Sequence, residues 1–449
     1  MTGQHYHLMG VGGVHMSAIA CLLLARGAKV SGCDLSPPPY LQPLQQEGLV
    51  VLRGHSPEHL EGVDVLVYTA AIRADNPELQ EGKRKGIPVL KRADMVAQLS
   101  EGRRMIAVAG SHGKTTTTSL VAFMLERAGL APTFLLGGFM LGEDTNVGMG
   151  EGPYMVVEAD EFDAAFLAYR PWVAVVTNVE PDHLDFYGDF QSLKRAFASF
   201  LAQVEPQGAI IACGDDGELV HLLPWDRQVL LYGLRPSLDL VATEVNFQCH
   251  GSSFVVCHRG RELGAFVTHL WGEHNVRNCL AAIGVGLMLG VPVEQIQEAV
   301  AQFPGVKRRF QVLGEASGVT VVDDYAHHPT EIRAILSVAR LRFPGRRLVC
   351  LFQPHTYSRT RYLLEGFLSC FQGADLLLIA HTYAARETPA QGMDASSLAA
   401  RLGAQYVGGL DEAVPTVLSL LRPGDVFMTI GAGDVDKVAG QVLEALRGQ

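Results

Sequence analysis

Met105-Ile106-Ala107-Val108-Ala109-Gly110-Ser111-His112-Gly113-Lys114-Thr115-Thr116 is a short apolar strand, then a glycine turn, then a Lys-Thr pair. An apolar-periodic helix follows to about Ala128, with Gly129 placed as its C-terminal cap. Strand, glycine turn, Lys-Thr and helix form a phosphate cradle. Glycines let backbone N–H groups approach an anion, and the helix N-terminus adds a positive dipole end. Lys114 is placed to reach terminal phosphates, and the Thr115 hydroxyl to ligate Mg²⁺. The general spacing has a glycine five residues before Gly113, where this chain has Val108. The loop is therefore a shortened Gly-x-x-Gly-Lys-Thr. The plainer reading is a Gly-Lys turn capping an ordinary helix.

Working outward, 449 residues suggest two to four domains. A hydrophobic content of 48% with 18% charged residues is globular. The net charge of −11 argues against a broad nucleic-acid-binding surface. Cysteines stand at 21, 33, 213, 249, 257, 279, 350 and 370, with no Cys-x-x-Cys pair. That usage is expected of a reduced, cytoplasmic protein without a disulfide framework or a structural zinc site. The first residues run straight into a strand, so no signal peptide is expected. The apolar run at 281–293 is too short to span a bilayer.

Upstream, His5-Tyr6-His7-Leu8-Met9 reads as a strand, Gly10-Val11-Gly12-Gly13 as a turn, and residues 17–26 as a helix ended by Gly27. Residues 29–34 form a second strand ending in Asp34, where a ribose hydroxyl would be read. The third fingerprint glycine is replaced by His15, and a purely structural turn remains open. The strand at 63–68 leads to Thr69 and Asn76 at its carboxyl end.

Downstream, Gly137-Gly138 and Asn146 form either a ligand loop or a turn. The strand at 154–157 ends in Glu158, Asp160, Glu161 and Asp163. Four carboxylates there are costly without a cation, and Mg²⁺ is the natural partner beside a phosphate loop. A solvated acidic turn is the alternative. The strand at 173–176 ends in Asn178, Glu180, Asp182, His183 and Asp185. Residues 190–200 read as a helix, and 209–213 as a strand. Short alternating stretches between 228 and 270 suggest a small antiparallel excursion. His274, Asn275 and Asn278 precede an apolar helix at 279–289, where they cap it or face a ligand.

After the basic hinge at 305–310, the strand at 319–322 ends in Asp323-Asp324-Tyr325-Ala326-His327-His328-Pro329-Thr330-Glu331. The strand at 347–352 ends in Gln353-Pro354-His355-Thr356-Tyr357-Ser358-Arg359. Strands at 376–380 and 425–430 follow, the last leading into Gly431. Repeated polar clusters at strand ends suggest one shared site. His327 and His328 suit substrate or phosphate contacts better than a metal, and a structural His-Pro turn stays open.

The motifs Gly110–Thr117, Glu158–Glu161, Asp182–Asp185, His274-Asn275-x-x-Asn278, Asp323–Glu331 and Phe352–Thr360 resemble, in order and over essentially the whole chain, those of the Mur ligase family. The resemblance implies an α/β fold of three domains. These are an N-terminal Rossmann-like domain for a UDP-sugar (1–102), a central P-loop ATPase-type mixed sheet (103–307), and a C-terminal Rossmann-like domain (308–449). It implies that ATP phosphorylates the lactyl carboxylate of UDP-N-acetylmuramate and that L-alanine attacks the acyl phosphate. No nucleic acid or membrane partner is implied, and a monomer or homodimer is expected.

By the same resemblance, Gly110, Ser111, His112, Gly113, Lys114, Thr115, Thr116, His274, Asn278, Arg309 and Asp324 bind ATP. Thr115, Glu158 and His183 hold Mg²⁺. Gly12, Gly13, Ser17, Asp34, Thr69 and Asn76 take the UDP portion. Tyr325, His327 and His355 lie near the amino acid and the sugar carboxylate, with Arg359 near phosphate. Lys114, Glu158, His183, His327 and His355 are the implied catalytic set. The chain departs from the family at Ser111, Phe162 and Thr356. Phe197 stands where several relatives carry a carbamylated lysine, so none is expected here. A recycling ligase that attaches a whole peptide to the same sugar is the nearest alternative. A nicotinamide-dependent dehydrogenase and a silent UDP-sugar sensor are readings from other classes. The broken glycine fingerprint and the phosphate loop argue against the first. The intact Lys114-Thr115, Glu158 and His183 set argues against the second.

Overall fold

Each run of apolar strand, glycine turn and apolar helix becomes a parallel crossover, and the crossovers gather into three sheets. The computed structural model describes residues 1–248, 250–385 and 387–448, so Cys249 lies outside the described residues. The remaining seven cysteines are free thiols.

The first sheet is five-stranded and parallel, in the order Val50–Arg53, Lys29–Asp34, His5–Met9, Val65–Tyr68 and Val89–Lys91. The glycine turn feeds helix Val14–Ala25, which buries Met16, Ala18, Ile19, Ala20, Leu22 and Leu23. That helix starts three residues before the expected Ser17, because Gly13 is extended and acts as its N-cap.

The central sheet has ten strands. Arg104–Ala109 lies between Val173–Val176 and Tyr154–Glu158, parallel to both. Register sets Val108 opposite Glu158 and Ala109 opposite Val176. The phosphate loop, the acidic turn and the 177–183 turn therefore leave the sheet at one edge, where open α/β sheets collect ligands. Helix Lys114–Arg127 packs over this edge with residues 115–125 all buried. The antiparallel excursion begins later than expected. Gln228–Gly233 continues the parallel order, and only Leu240–Gln248, Gly251–His258 and Arg261–Thr268 form a meander. The short helix Gly217–Val220 makes residues 209–233 one more crossover unit.

The third sheet has six strands, with Gln311–Ala316 as its antiparallel edge. Asp324 and Phe352 both stand opposite Ile430, so the turns after the three strands share an edge. The hinge is clamped: Arg308 donates to Asp323 (3.0 Å) and to the carbonyls of Gly431 and Gly433. Among the described residues no helix is long and apolar enough to cross a membrane.

Candidate active site

Two sheet edges face each other across one cleft. From the central side, the Asn178 side chain fixes the phosphate loop, accepting from His112 N (2.9 Å) and donating to His112 O (3.0 Å). Gly113 caps the following helix in the left-handed region (φ 82°). A side chain there would strike Asn278, 2.5 Å from a built Cβ. Lys114 turns back onto the loop, donating to Gly110 O (2.5 Å) and to both oxygens of Glu161 (3.0 and 2.8 Å). Burial opposes its charge, yet Glu161, Asp160 and Glu158 raise its pKa, so it is a fixed cation.

The acidic turn is not a bare cluster. Asp160 pairs with Arg92 (2.9 Å) and Asp163 with Lys91 (2.8 Å), both from the first sheet's side. Glu161 pairs with Lys114. Glu158 is the exception. Its Oε2 is buried without a hydrogen-bond partner, and burial pushes its carboxyl up despite Lys114. The Thr115 hydroxyl lies against the same carboxylate. An orphaned carboxylate oxygen beside a hydroxyl at a phosphate loop fits a hard cation. His183, in the left-handed region (φ 52°), lies elsewhere in the expected metal set. Its ring nitrogen is 3.9 Å from Glu161, and Asp160, Glu161 and His183 converge within 4.8 Å.

The third domain meets this edge directly. Arg359 grips Asp182 through Nε and Nη2 (3.1 and 3.0 Å). Burial would raise the Asp182 carboxyl, but Arg359 and the neighbouring histidines hold it well below the usual range. His355 Nδ1 accepts from Arg359 (2.9 Å), and its ring lies 5.8 Å from that of His327. Tyr325 is flanked by the guanidinium groups of Arg308 and Arg309. His328 N-caps helix Pro329–Arg342, and Glu331 completes its capping box. Glu331 also faces His112 Nδ1 (3.3 Å), whose Nε2 is 3.4 Å from Glu180. Burial lowers the His112 pKa, but Glu331 and Glu180 together raise it to about 10.

Between the edges lies a cavity of about 810 Å³, lined among others by His112, Gly113, Thr116, His274, Asn278, Arg309, Asp324 and Glu331. Seven expected nucleotide residues thus share one chamber with groups from both domains. Burial raises Asp324 to about 7, with Arg309 opposing. Helix Glu273–Met288 starts six residues before the expected Cys279, with Gly272 as its N-cap. His274 and Asn278 therefore project from its first turns.

Of the expected UDP residues, Gly12, Gly13, Ser17, Asp34 and Thr69 gather at the first glycine turn, Thr69 against Gly10. Asp34 accepts from Gly12 N (3.0 Å), and Ser17 accepts from the Asn146 amide (3.3 Å). Asn76 N-caps helix Pro77–Arg84, accepting from Glu78 N and Leu79 N. Phe197 is fully buried against Phe166, and Lys194 pairs with Glu218 (2.9 Å). Arg92, Glu180, Asp182 and Glu331 did not stand out from the sequence as site residues. Asp182 and Glu331 lie inside quoted motifs and Glu180 two residues before one, whereas nothing local marks Arg92.

Comparison with known proteins covers the same ground. Residues 5–104 match the model "Mur ligase family, catalytic domain", 108–286 "Mur ligase middle domain", and 308–433 "Mur ligase, glutamate ligase domain". A UDP-N-acetylmuramate–L-alanine ligase of Geobacter sp. (strain M21) is 42% identical over 99% of this chain and 98% of its own. One from Roseiflexus sp. (strain RS-1) is 43% identical over 99% and 100%. The crystal structure of the UDP-N-acetylmuramate–alanine ligase of Thermotoga maritima superposes with a TM-score of 0.84 at 27% identity, covering 99% of each chain. A murein peptide ligase of Psychrobacter arcticus superposes at 0.78 with 26% identity, covering 100% and 99%.

Proposed function

We propose, from the premise that the chain belongs to the Mur ligase family, that it is the ATP-dependent ligase joining L-alanine to the lactyl carboxylate of UDP-N-acetylmuramate in peptidoglycan precursor synthesis. A lactyl carboxylate oxygen attacks the γ-phosphorus of ATP and ADP leaves. The alanine amine then attacks the acyl carbon, and the tetrahedral intermediate collapses with loss of phosphate. The observation that supports this most is the chamber shared by the phosphate loop and the third domain, where His274, Asn278, Arg309 and Asp324 converge on Gly113.

Phosphoryl transfer needs positioning and charge neutralisation more than covalent help. Lys114 leaves Glu161 to meet the phosphates, its amine already at the loop's mouth. His274 and Asn278 hold the adenine side. Glu158 and Thr115 would hold Mg²⁺, with His183 on the Glu161 side. Bound there, the ion supplies charge for the developing phosphoryl oxygens. Tyr325, His327, His355 and Arg359 receive the amino acid and the acyl phosphate. Gly12, Gly13, Ser17, Asp34, Thr69 and Asn76 take the UDP portion. The three sheets act as sugar, ATP and closing domains (1–102, 103–307 and 308–449), working in the cytoplasm.

The test is phosphate release from ATP with UDP-N-acetylmuramate, with and without L-alanine. Release that depends on L-alanine is expected. Release indifferent to the amino acid, or far faster with a tripeptide, overturns the assignment and in the second case favours the recycling ligase.

A further inference from the structure

Away from the cleft, five side chains from four separate segments of the first domain meet in its interior. His7 comes from strand His5–Met9 and Cys33 from strand Lys29–Asp34. His55 follows strand Val50–Arg53, and His59 lies four residues on, in the turn Pro57–Leu60. Glu78 stands in the first turn of helix Pro77–Arg84, which Asn76 caps. His7 and Glu78 side chains are 0% exposed, and His55 and His59 only 14%.

The contacts all converge on one carboxylate. His7 Nε2 is 2.8 Å and His59 Nδ1 3.2 Å from Glu78 Oε1. Cys33 Sγ is 3.2 Å and His55 Nδ1 3.3 Å from Oε2. His55 Nδ1 is also 3.2 Å from Cys33 Sγ. One ligand atom each from His7, Cys33, His59 and Glu78 lie within 4.8 Å of one another. A tetrahedral ion with bonds of about 2.0–2.3 Å sets its donors roughly 3.3–3.8 Å apart, so small shifts suffice, apart for His7 and Glu78 and inward for the wider pairs.

A second observation shows what is missing. His5 Nδ1 lies 3.0 Å from the Gly62 carbonyl, so it must carry the proton and donate. Neutral His5 then accepts at Nε2 from the Ser31 hydroxyl (2.8 Å). With its own proton committed, Ser31 Oγ accepts from His7 Nδ1 (2.8 Å). The chain Gly62–His5–Ser31–His7 thereby leaves His7 Nε2 as a bare lone pair. That nitrogen is buried without a hydrogen-bond partner and aims at a carboxylate, which only accepts. Two lone pairs 2.8 Å apart require a positive charge between them. An imidazole oriented through its other nitrogen by an outer hydrogen bond is how proteins aim histidine at a metal.

We propose that His7, Cys33, His59 and Glu78, with His55 beside them, bind one zinc-class divalent ion. Thiolate and imidazole donors select such an ion over Mg²⁺, which takes oxygen ligands. The ion ties the adjacent strands His5–Met9 and Lys29–Asp34 to helix Pro77–Arg84. It also fixes the strand end on which the glycine turn hangs, since Gly10 N and Val11 N both donate to Cys33 O. Its role is structural, because all donor positions belong to the protein.

Full-length protein stripped of metal and titrated with Co²⁺ in excess Mg²⁺ tests this. One equivalent is expected to bind, with a thiolate-to-cobalt charge-transfer band that Zn²⁺ abolishes by displacement. Cys33→Ser should lose the band, and Ser31→Ala should weaken Co²⁺ binding about 10–100-fold, as loss of an outer-shell partner does. His59→Ala, at a partly exposed turn, serves if Cys33→Ser does not fold, and should weaken binding while circular dichroism stays native. A protein without the band, or one whose band survives both Cys33→Ser and His59→Ala, overturns the site. A proton on His7 would then be the charge that joins it to Glu78.

Discussion

Lys114 and Glu161 form a buried pair at the heart of the phosphate loop, 13% and 0% exposed. Removing one partner of such a pair strands the other charge, at a cost of about 3–5 kcal/mol. Lys114→Ala should therefore lose both turnover and stability. Adding Glu161→Gln should restore most of the stability, read as the midpoint of urea unfolding, without restoring turnover. A double variant as unstable as the single would show that Glu161 is not the stranded group. The loop itself was legible in the sequence, since glycine, lysine and threonine at that spacing serve one chemistry. The pairing of the acidic turn was not. Arg92 is 68 residues from Asp160 and Lys91 is 72 from Asp163, and no local pattern links them. The expectation that four acids needed a metal narrows to Glu158, the one whose buried oxygen has no partner. The inner cluster was missed for the same reason: its four donors come from four segments, and a count of Cys-x-x-Cys pairs cannot find it.

Between elements, the N-terminus of helix Pro329–Arg342 docks onto the phosphate loop through Glu331 and His112. The folded pKa of His112, about 10, lies above its ordinary 6.5. A group raised in this direction contributes stability that is fully present below about pH 6.5 and is lost as pH rises toward 10. Stability should accordingly decline over that window, and His112→Gln should flatten the decline. An unchanged slope in the variant, measured by thermal unfolding across pH, would place the charge elsewhere. Element positions were legible where apolar periodicity is long, as in helix Lys114–Arg127. Starts were less so. Helices at Val14 and Glu273 begin in polar or glycine-rich residues whose periodicity is weak, so the caps at Gly13 and Gly272 set them instead. The strand Gln228–Gly233 is only partly buried over its first four residues, as a meander strand would be, though its partner is parallel.

At the scale of the whole molecule, the central and third sheets turn their carboxyl edges toward one cleft. The order of motifs along the chain foretold three α/β units. How the third closes on the second depends on long-range pairs such as Arg359–Asp182, separated by 177 residues. In the proposed reaction the lactyl carboxylate is activated by phosphorylation and then trapped by L-alanine. Turnover of UDP-N-acetylmuramate labelled with ¹⁸O in that carboxylate tests it most directly. An acyl phosphate hands one labelled oxygen to inorganic phosphate for each amide formed. Phosphate released without label, while the amide accumulates, would contradict it.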